Sequence, residues 1–349
     1  MKLGVIVQGL LIIASTAMIR ADVADLMAEA RCGDAQAQYL LGCAWIRGDI
    51  DGTSDLKEAI ACLRQSSEQD HPSAQGLLGF VLLQTTLSDE ELTEAVTCMQ
   101  KAADGGCALG MTGLALAYLN GWGVDRDLEI AFEYFKQAAE SGDPFGQFGF
   151  SQVLEYGIGS AADPAEANRW LETATQHRFD PAETDLGLHC WHGTGQEVDA
   201  ISALIHLTNT ADSGYAPAQF HLAALIWSGD ALRPDQGKAI QWLRKSAQKE
   251  YAPSIRVLGI LHARGIGLEQ NIDQAETYLN QASDLGDELA SLALANRIWE
   301  SKSDTLPDDV WQAPEIPDRV LFVRGGAPDN DINTVVNFLA ARELLASSY

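Results

Sequence analysis

The chain has 349 residues, enough for one to three domains with a sizeable core, and sets 49 Asp plus Glu against 23 Lys plus Arg for a net charge of −26. So acidic a surface repels nucleic-acid phosphates and anionic lipid heads, which excludes nucleic acid as an expected partner and leaves a neutral or basic protein, a peptide, or a neutral glycan. A hydrophobic content of 46% excludes disorder, which needs low hydrophobicity.

The first element is MKLGVIVQGLLIIASTAMIRAD. One lysine precedes an apolar run over about residues 3–13, and small residues follow at Ala17 and Ala21. That order predicts a secretory signal peptide over residues 1–21 and a periplasmic or secreted protein, with an uncleaved anchor as the alternative. Gln8 and Ser15-Thr16 interrupt the run. No later segment is apolar for the ~20 residues a span requires, so no further membrane contact is expected. Residues 22–32 fit a lone helix.

From there the chain repeats itself. Gly121, Gly157, Gly193, Gly229 and Gly265 are 36 residues apart, and all but Gly229 open a Gly-x-Gly. Gly48 starts the series one residue out of phase. The same step of 36 separates Ala59, Ala95, Ala131, Ala167, Ala203, Ala239 and Ala275. Four residues after each alanine stands a large apolar residue: Leu63, Met99, Phe135, Leu171, Leu207, Leu243 and Leu279. Upstream of the glycines run Leu41, Leu78, Leu114, Phe150, Leu186, Leu222, Leu258 and Leu294.

Each unit reads as two helices. The first, exemplified by Phe220, Leu222, Ala223, Ile226 and Trp227, ends at a glycine able to adopt the left-handed conformation. The second has a capping residue four positions before its alanine: Asp55, Asp127, Asp163, Asp199, Asp235 and Asn271, with Glu91 the exception. The alanine allows a neighbouring helix to approach, and the large residue one turn on fills the groove. A hairpin this short cannot bury its apolar face alone, so the units must stack.

The pattern A-x-x-x-L-G-x-x-Y-x-x-G-x-G-V followed by D-x-x-x-A-x-x-W/Y-x-x-x-A-A-x-x-G resembles the Sel-1-like repeat family, a relative of the tetratricopeptide repeats. Its fullest copy is ALGMTGLALAYLNGWGVDRDLEIAFEYFKQAAESGD, residues 108–143. The resemblance implies an all-α, right-handed α/α solenoid of helical hairpins with period 36 over residues 22–300, about seven repeats, the first helices lining the concave face. Copies at about 73–106, 146–178 and 182–214 depart most, losing glycines or aromatics at marker positions. A last first-helix is expected over residues 290–299. Residues 301–349 read as a linker containing Pro307, Pro314 and Pro317, then VLFV (320–323), then a capping helix at about 331–346 lying on the last repeat.

The repeat also sorts the residues that suggest chemistry. HCWHGTG (189–195) becomes the end of a first helix and its glycine turn. Cys62 and Cys98 share a slot held elsewhere by Tyr134, Trp170, His206, Trp242 and Tyr278, and Cys190 shares one with Trp45, Leu82, Tyr118 and Ile226, so all three read as core fillers. The six cysteines do not recur with the repeat, which departs from the cysteine-rich branch of the family; one pair, such as Cys98–Cys107, is left open.

Asp185, His189 and His192 lie i, i+4, i+7 on one helical face, and His221 occupies the Asp185 slot of the next copy. This set reads as a polar patch between repeats, with metal binding as the alternative. Trp191, Trp227 and Trp299 share one slot near the end of the first helix, where a tryptophan ladder would anchor a ligand. The expected function is therefore a non-enzymatic protein–protein interaction scaffold or adaptor, binding another protein or peptide in the groove through Trp191, Trp227, Trp299, His192 and His221. No cofactor, metal or catalytic residue is assigned. The alternatives are a glycan-binding module and a weak metal-dependent hydrolase centred on Asp185, His189, His192 and His221.

Overall fold

The computed structural model describes residues 16–50, 54–85, 88–300 and 310–311. Helix α1 (Thr16–Arg31) is followed by seven hairpins. They pair α2 (Ala35–Arg47) with α3 (Leu56–Ser67), α4 (Pro72–Thr85) with α5 (Asp89–Asp104), α6 (Ala108–Asn120) with α7 (Leu128–Glu140), and α8 (Pro144–Tyr156) with α9 (Pro164–Thr175). Then come α10 (Asp180–His192) with α11 (Ala200–Ser213), α12 (Ala216–Ser228) with α13 (Gln236–Ala247), α14 (Ala252–Arg264) with α15 (Ile272–Asp284), and a final α16 (Glu288–Ala295). The described residues contain no strand, and the fold is an all-α repeat solenoid. It forms two compact units, one ending at Phe179 and one starting at Asp180. Of the N-terminal leader only the part from Thr16 on is described, and the expected helix at 331–346 lies outside the described residues.

The caps are those the repeat demands. Asp55 and Asp127 in the first unit, and Asp199, Asp235 and Asn271 in the second, each accept a first-turn backbone N–H through a side-chain oxygen. Gly48, Gly121, Gly157, Gly193, Gly229 and Gly265 all have φ between 65° and 79°, the left-handed value that ends a first helix. The second glycine of the pair has its own reason. A Cβ on Gly123 would strike the Leu92 carbonyl oxygen, and one on Gly159 the Leu128 carbonyl oxygen, at the start of the preceding second helix. The turn therefore lies directly on the backbone of the previous repeat.

The exception at Glu91 resolves itself: α5 begins earlier, at Asp89, and the Ser88 hydroxyl accepts from the Glu91 N–H. Three other expectations are corrected. Helix α1 reaches back to Thr16, the first described residue, rather than beginning near residue 22, since no glycine or proline interrupts that stretch. Helix α16 stops at Ala295, and Arg297 takes a positive φ of 46° before a 3₁₀ turn at Ile298–Glu300, so no single helix runs to Trp299. Finally, the one tail segment that is described meets the last repeat, where the Val310 carbonyl accepts from Arg256 of α14, and also reaches beyond it. Trp311 packs on Phe220 and Trp227 of α12.

The seven marker alanines are all 0% exposed, and the seven large residues one turn later are at most 1% exposed. Within the first unit, Met99 fills the space left by Gly79 of its own hairpin and Gly113 of the next, and Phe135 covers Gly149. In the second unit Leu207 lies over Gly187, and Leu279 over Gly259. Burying each such side chain contributes about 1.5–3 kcal/mol, more than the ~1 kcal/mol of a cap, so packing rather than capping dominates stability.

Overpacking this slot should be costly in either unit. Ala131→Leu and Ala239→Leu are each expected to lose about 1–3 kcal/mol in urea unfolding, because neither buried slot has room for the added carbons. Parent-like unfolding midpoints for both would show that the slots accommodate them.

Candidate partner-binding face

Helix α10 ends in the stretch that drew attention in the sequence. Cys190 is 6% exposed and its sulfur accepts from Gln196 Nε2 at 3.1 Å, which makes it part of the packing. Burial pushes the Cys62 and Cys98 thiols up, so neither is an activated thiolate. The slot of Cys62 and Cys98 is half-buried in all seven copies rather than fully interior. No disulfide links the described cysteines, Cys98 and Cys107 included.

The histidines separate. His189 is 6% exposed and faces inward, whereas His192, in the last residue of the helix, is exposed and stacks on Trp191 with ring centroids 4.9 Å apart. His221 is 7% exposed and makes a T-shaped contact with Phe220 at 5.1 Å, within the packing of α12. Asp185 is half-buried on α10. Among the described residues no group of three or more His, Cys, Asp or Glu is placed to hold a metal ion.

Each tryptophan of the shared slot is half-buried against a core, Trp191 against that of Cys190, Leu222 and Leu225, but their partners differ. Trp191 is half-buried, and its indole N–H donates to Asp230 Oδ2 at 2.7 Å, in the turn of the next repeat. The Ser228 hydroxyl donates to the same oxygen at 2.8 Å and steadies it. Trp227 and Trp299 are half-buried against the core formed by Phe220, Leu258, Leu261, Ala290 and Val310. Trp227 is covered by Trp311, their centroids 5.8 Å apart.

Sequence reasoning missed the residue that holds the main chain beside Trp311. Arg256, 2% exposed in the middle of α14, donates from Nε to Asp287 Oδ2 at 2.9 Å and from Nη1 to the Val310 carbonyl at 3.0 Å. The signal was present, since a lone charge stands in a slot held elsewhere by Tyr39, Gly76, Thr112, Phe148, Thr184 and Phe220. Nothing local shows what satisfies it. Asp230, the Trp191 partner, was missed because it replaces no marker residue.

Sel1 repeats match residues 35–71, 73–107, 108–143, 145–177, 180–215, 216–251 and 252–287. The chain belongs to the Sel1 repeat family. Sel1 repeats are commonly protein-interaction scaffolds and typically not enzymes. A Sel1 repeat protein from Oxalobacter formigenes is 24% identical with a TM-score of 0.54, the match covering 81% of this chain and 82% of that one. A protective antigen of uropathogenic Escherichia coli with an SLR fold is 22% identical with a TM-score of 0.52, over 81% of this chain and 68% of its own. These likenesses establish the fold alone. No curated protein matches the chain. No described helix of this Sel1 repeat protein is long and apolar enough to cross a membrane.

One ionisable group of the second unit is held against its preference. Asp180, the first residue of α10, accepts from the Ser213 hydroxyl at 2.8 Å. Burial pushes its carboxyl up to about 6; the Ser213 hydrogen bond opposes the shift and Glu183 adds to it. A helix N-terminus favours a carboxylate by about 0.3–1 kcal/mol, so burial outweighs it. The folded form then keeps this proton to a higher pH than the unfolded chain, whose carboxyl releases it near 3.8. Stability from this residue therefore falls as pH rises from about 4 to 6, and the deficit is complete above that. Asp180→Asn should stabilise the protein by about 1–3 kcal/mol at pH 7 and have little effect at pH 4, measured by urea unfolding at both.

Proposed function

We propose that this Sel1 repeat protein is a non-enzymatic scaffold that binds a partner polypeptide on the first-helix face of its second unit. The observation that carries the reading is the Trp191–His192 pair, an aromatic stack at the end of α10 anchored to Asp230. Interfaces concentrate their energy in a few aromatic side chains that are rigid before the partner arrives, and Trp191 is held in that way. One face of its ring meets His192 and its only donor is used on Asp230, so few groups remain for sugar hydroxyls; a polypeptide is favoured over a glycan. An exposed apolar side chain at Leu232, 56% accessible and in the same turn as Asp230, adds surface suited to a protein partner. The charge of −26 favours a neutral or basic partner, felt as a faster on-rate at low salt.

Trp191→Ala should weaken binding of a partner captured from the native envelope fraction by about 1–3 kcal/mol in titration calorimetry, while keeping its helical content and a cooperative melting transition. A large fall in melting temperature would instead make Trp191 a packing residue.

We further infer that residues 3–13 direct export to a periplasmic or secreted location, supported by the lysine, apolar run and small residues in that order. N-terminal sequencing of the envelope fraction should then begin near Met18 or Asp22, and recovery of Met1 would rule out cleavage.

A further inference from the structure

Phe220 and Trp227 stand seven residues apart on α12, about 10 Å along its axis, and the Trp311 ring lies 5.8 Å from each. Phe220 also meets Tyr251, the residue before α14, edge to face at 5.7 Å. Val310, one residue earlier, is 1% exposed, and its carbonyl accepts from Arg256 on α14. Arg256 and Phe220 occupy the same slot of successive repeats, so consecutive residues of the segment touch consecutive first helices.

A terminal cap would cover α15 and α16, where the stack ends. This segment instead reaches back two first helices, from α16 past α14 to α12. It is held as a ligand is held: a side-chain donor grips its main chain, which needs no particular ligand side chain, and an aromatic cleft selects one residue. The grip is preformed. Asp287 pairs with Arg256 through Oδ2 and caps α16 through Oδ1, which accepts from the Ala290 N–H at 2.8 Å. The guanidinium therefore points where a peptide carbonyl arrives.

We propose that Phe220, Trp227, Tyr251 and Arg256 form a binding site for a partner peptide carrying a large aromatic residue after an aliphatic one, and that Val310–Trp311 is its intramolecular occupant, which the partner must displace. The proposal rests on the scaffold reading of this face and adds the ligand class and its regulation. The occupant belongs to the same chain as the site, so its binding is intramolecular and an external peptide competes with a local concentration on the order of millimolar. An external peptide therefore sees only the fraction of molecules whose own segment has left, and its affinity is reduced by that fraction.

The test uses the full chain and a fluorescein-labelled peptide of residues 305–316, TLPDDVWQAPEI, followed by anisotropy. Trp311→Ala should bind this peptide at least tenfold more tightly than the parent, because its site is vacated. The same peptide with its tryptophan replaced by alanine should not bind, and Trp227→Ala added to Trp311→Ala should abolish binding at unchanged helicity. Should Trp311→Ala lose helicity, Trp311→Leu, which keeps apolar bulk, replaces it in the same titration. Equal or weaker peptide binding by the folded variant overturns the proposal and makes the segment a structural clamp. The Trp191→Ala experiment separates the two readings. Peptide binding with no captured partner upholds the site and removes the scaffold reading, whereas partner capture without peptide binding overturns the site alone.

Discussion

Close approach between helices at small side chains is the constraint on which both units depend. Every described second helix of a hairpin carries a fully buried alanine, and one turn later a large side chain packs inward, in five of the seven hairpins against first-helix glycines. The arrangement is unforgiving, because a Cβ on Gly79 or Gly113 would run into the Met99 side chain, and one on Gly149 into the Phe135 ring. Interiors packed this densely tolerate neither added nor missing volume. The glycine turn belongs to the same constraint, since its second glycine rests on the backbone of the preceding hairpin and sets how far apart successive hairpins lie.

Against that uniform background, the second unit carries departures that place polar or charged side chains in helix-facing slots. The slot filled by Gly113 and Gly149 in the first unit holds Asp185 and His221 in the second. The slot of Thr184 and Phe220 holds Arg256. A buried guanidinium without partners is destabilising by several kcal/mol, so its presence implies its neighbours. Asp287 supplies the opposite charge and the Val310 carbonyl a further acceptor. Because Asp287 also starts α16, the last described helix, the buried cation and the tail segment form one connected group, in which loss of any member exposes the others.

The family explains the scaffold and leaves the activity to these departures. Relatives at 22–24% identity share the stack, and a shared stack does not carry a shared ligand. Function in a repeat protein resides where a copy differs from its siblings without a structural need to differ. By that criterion the tryptophans at 191 and 227 and the arginine at 256 stand out. The half-buried slot of Cys62 and Cys98 does not, since every copy fills it in some way.

What the sequence determined by itself is what recurs. A step of 36 residues, seen in the glycines, the alanines and the large residues that follow them, specifies hairpins, their caps and their buried faces, because each copy reports the same local environment and seven copies average out the exceptions. Single events were not legible in this way. The start of α5 at Asp89 behind a Ser88 cap, the premature end of α16, the indole–carboxylate pair of Trp191 and Asp230, and the seat of Trp311 each occur once. Trp311 even stands in the alanine slot by count, 36 residues after Ala275, yet it lies on a first helix two repeats back. Spacing along the chain encodes contacts made by regular helices. A segment that leaves the helical register is positioned only by the surface it meets, and that surface exists only once the repeats have stacked.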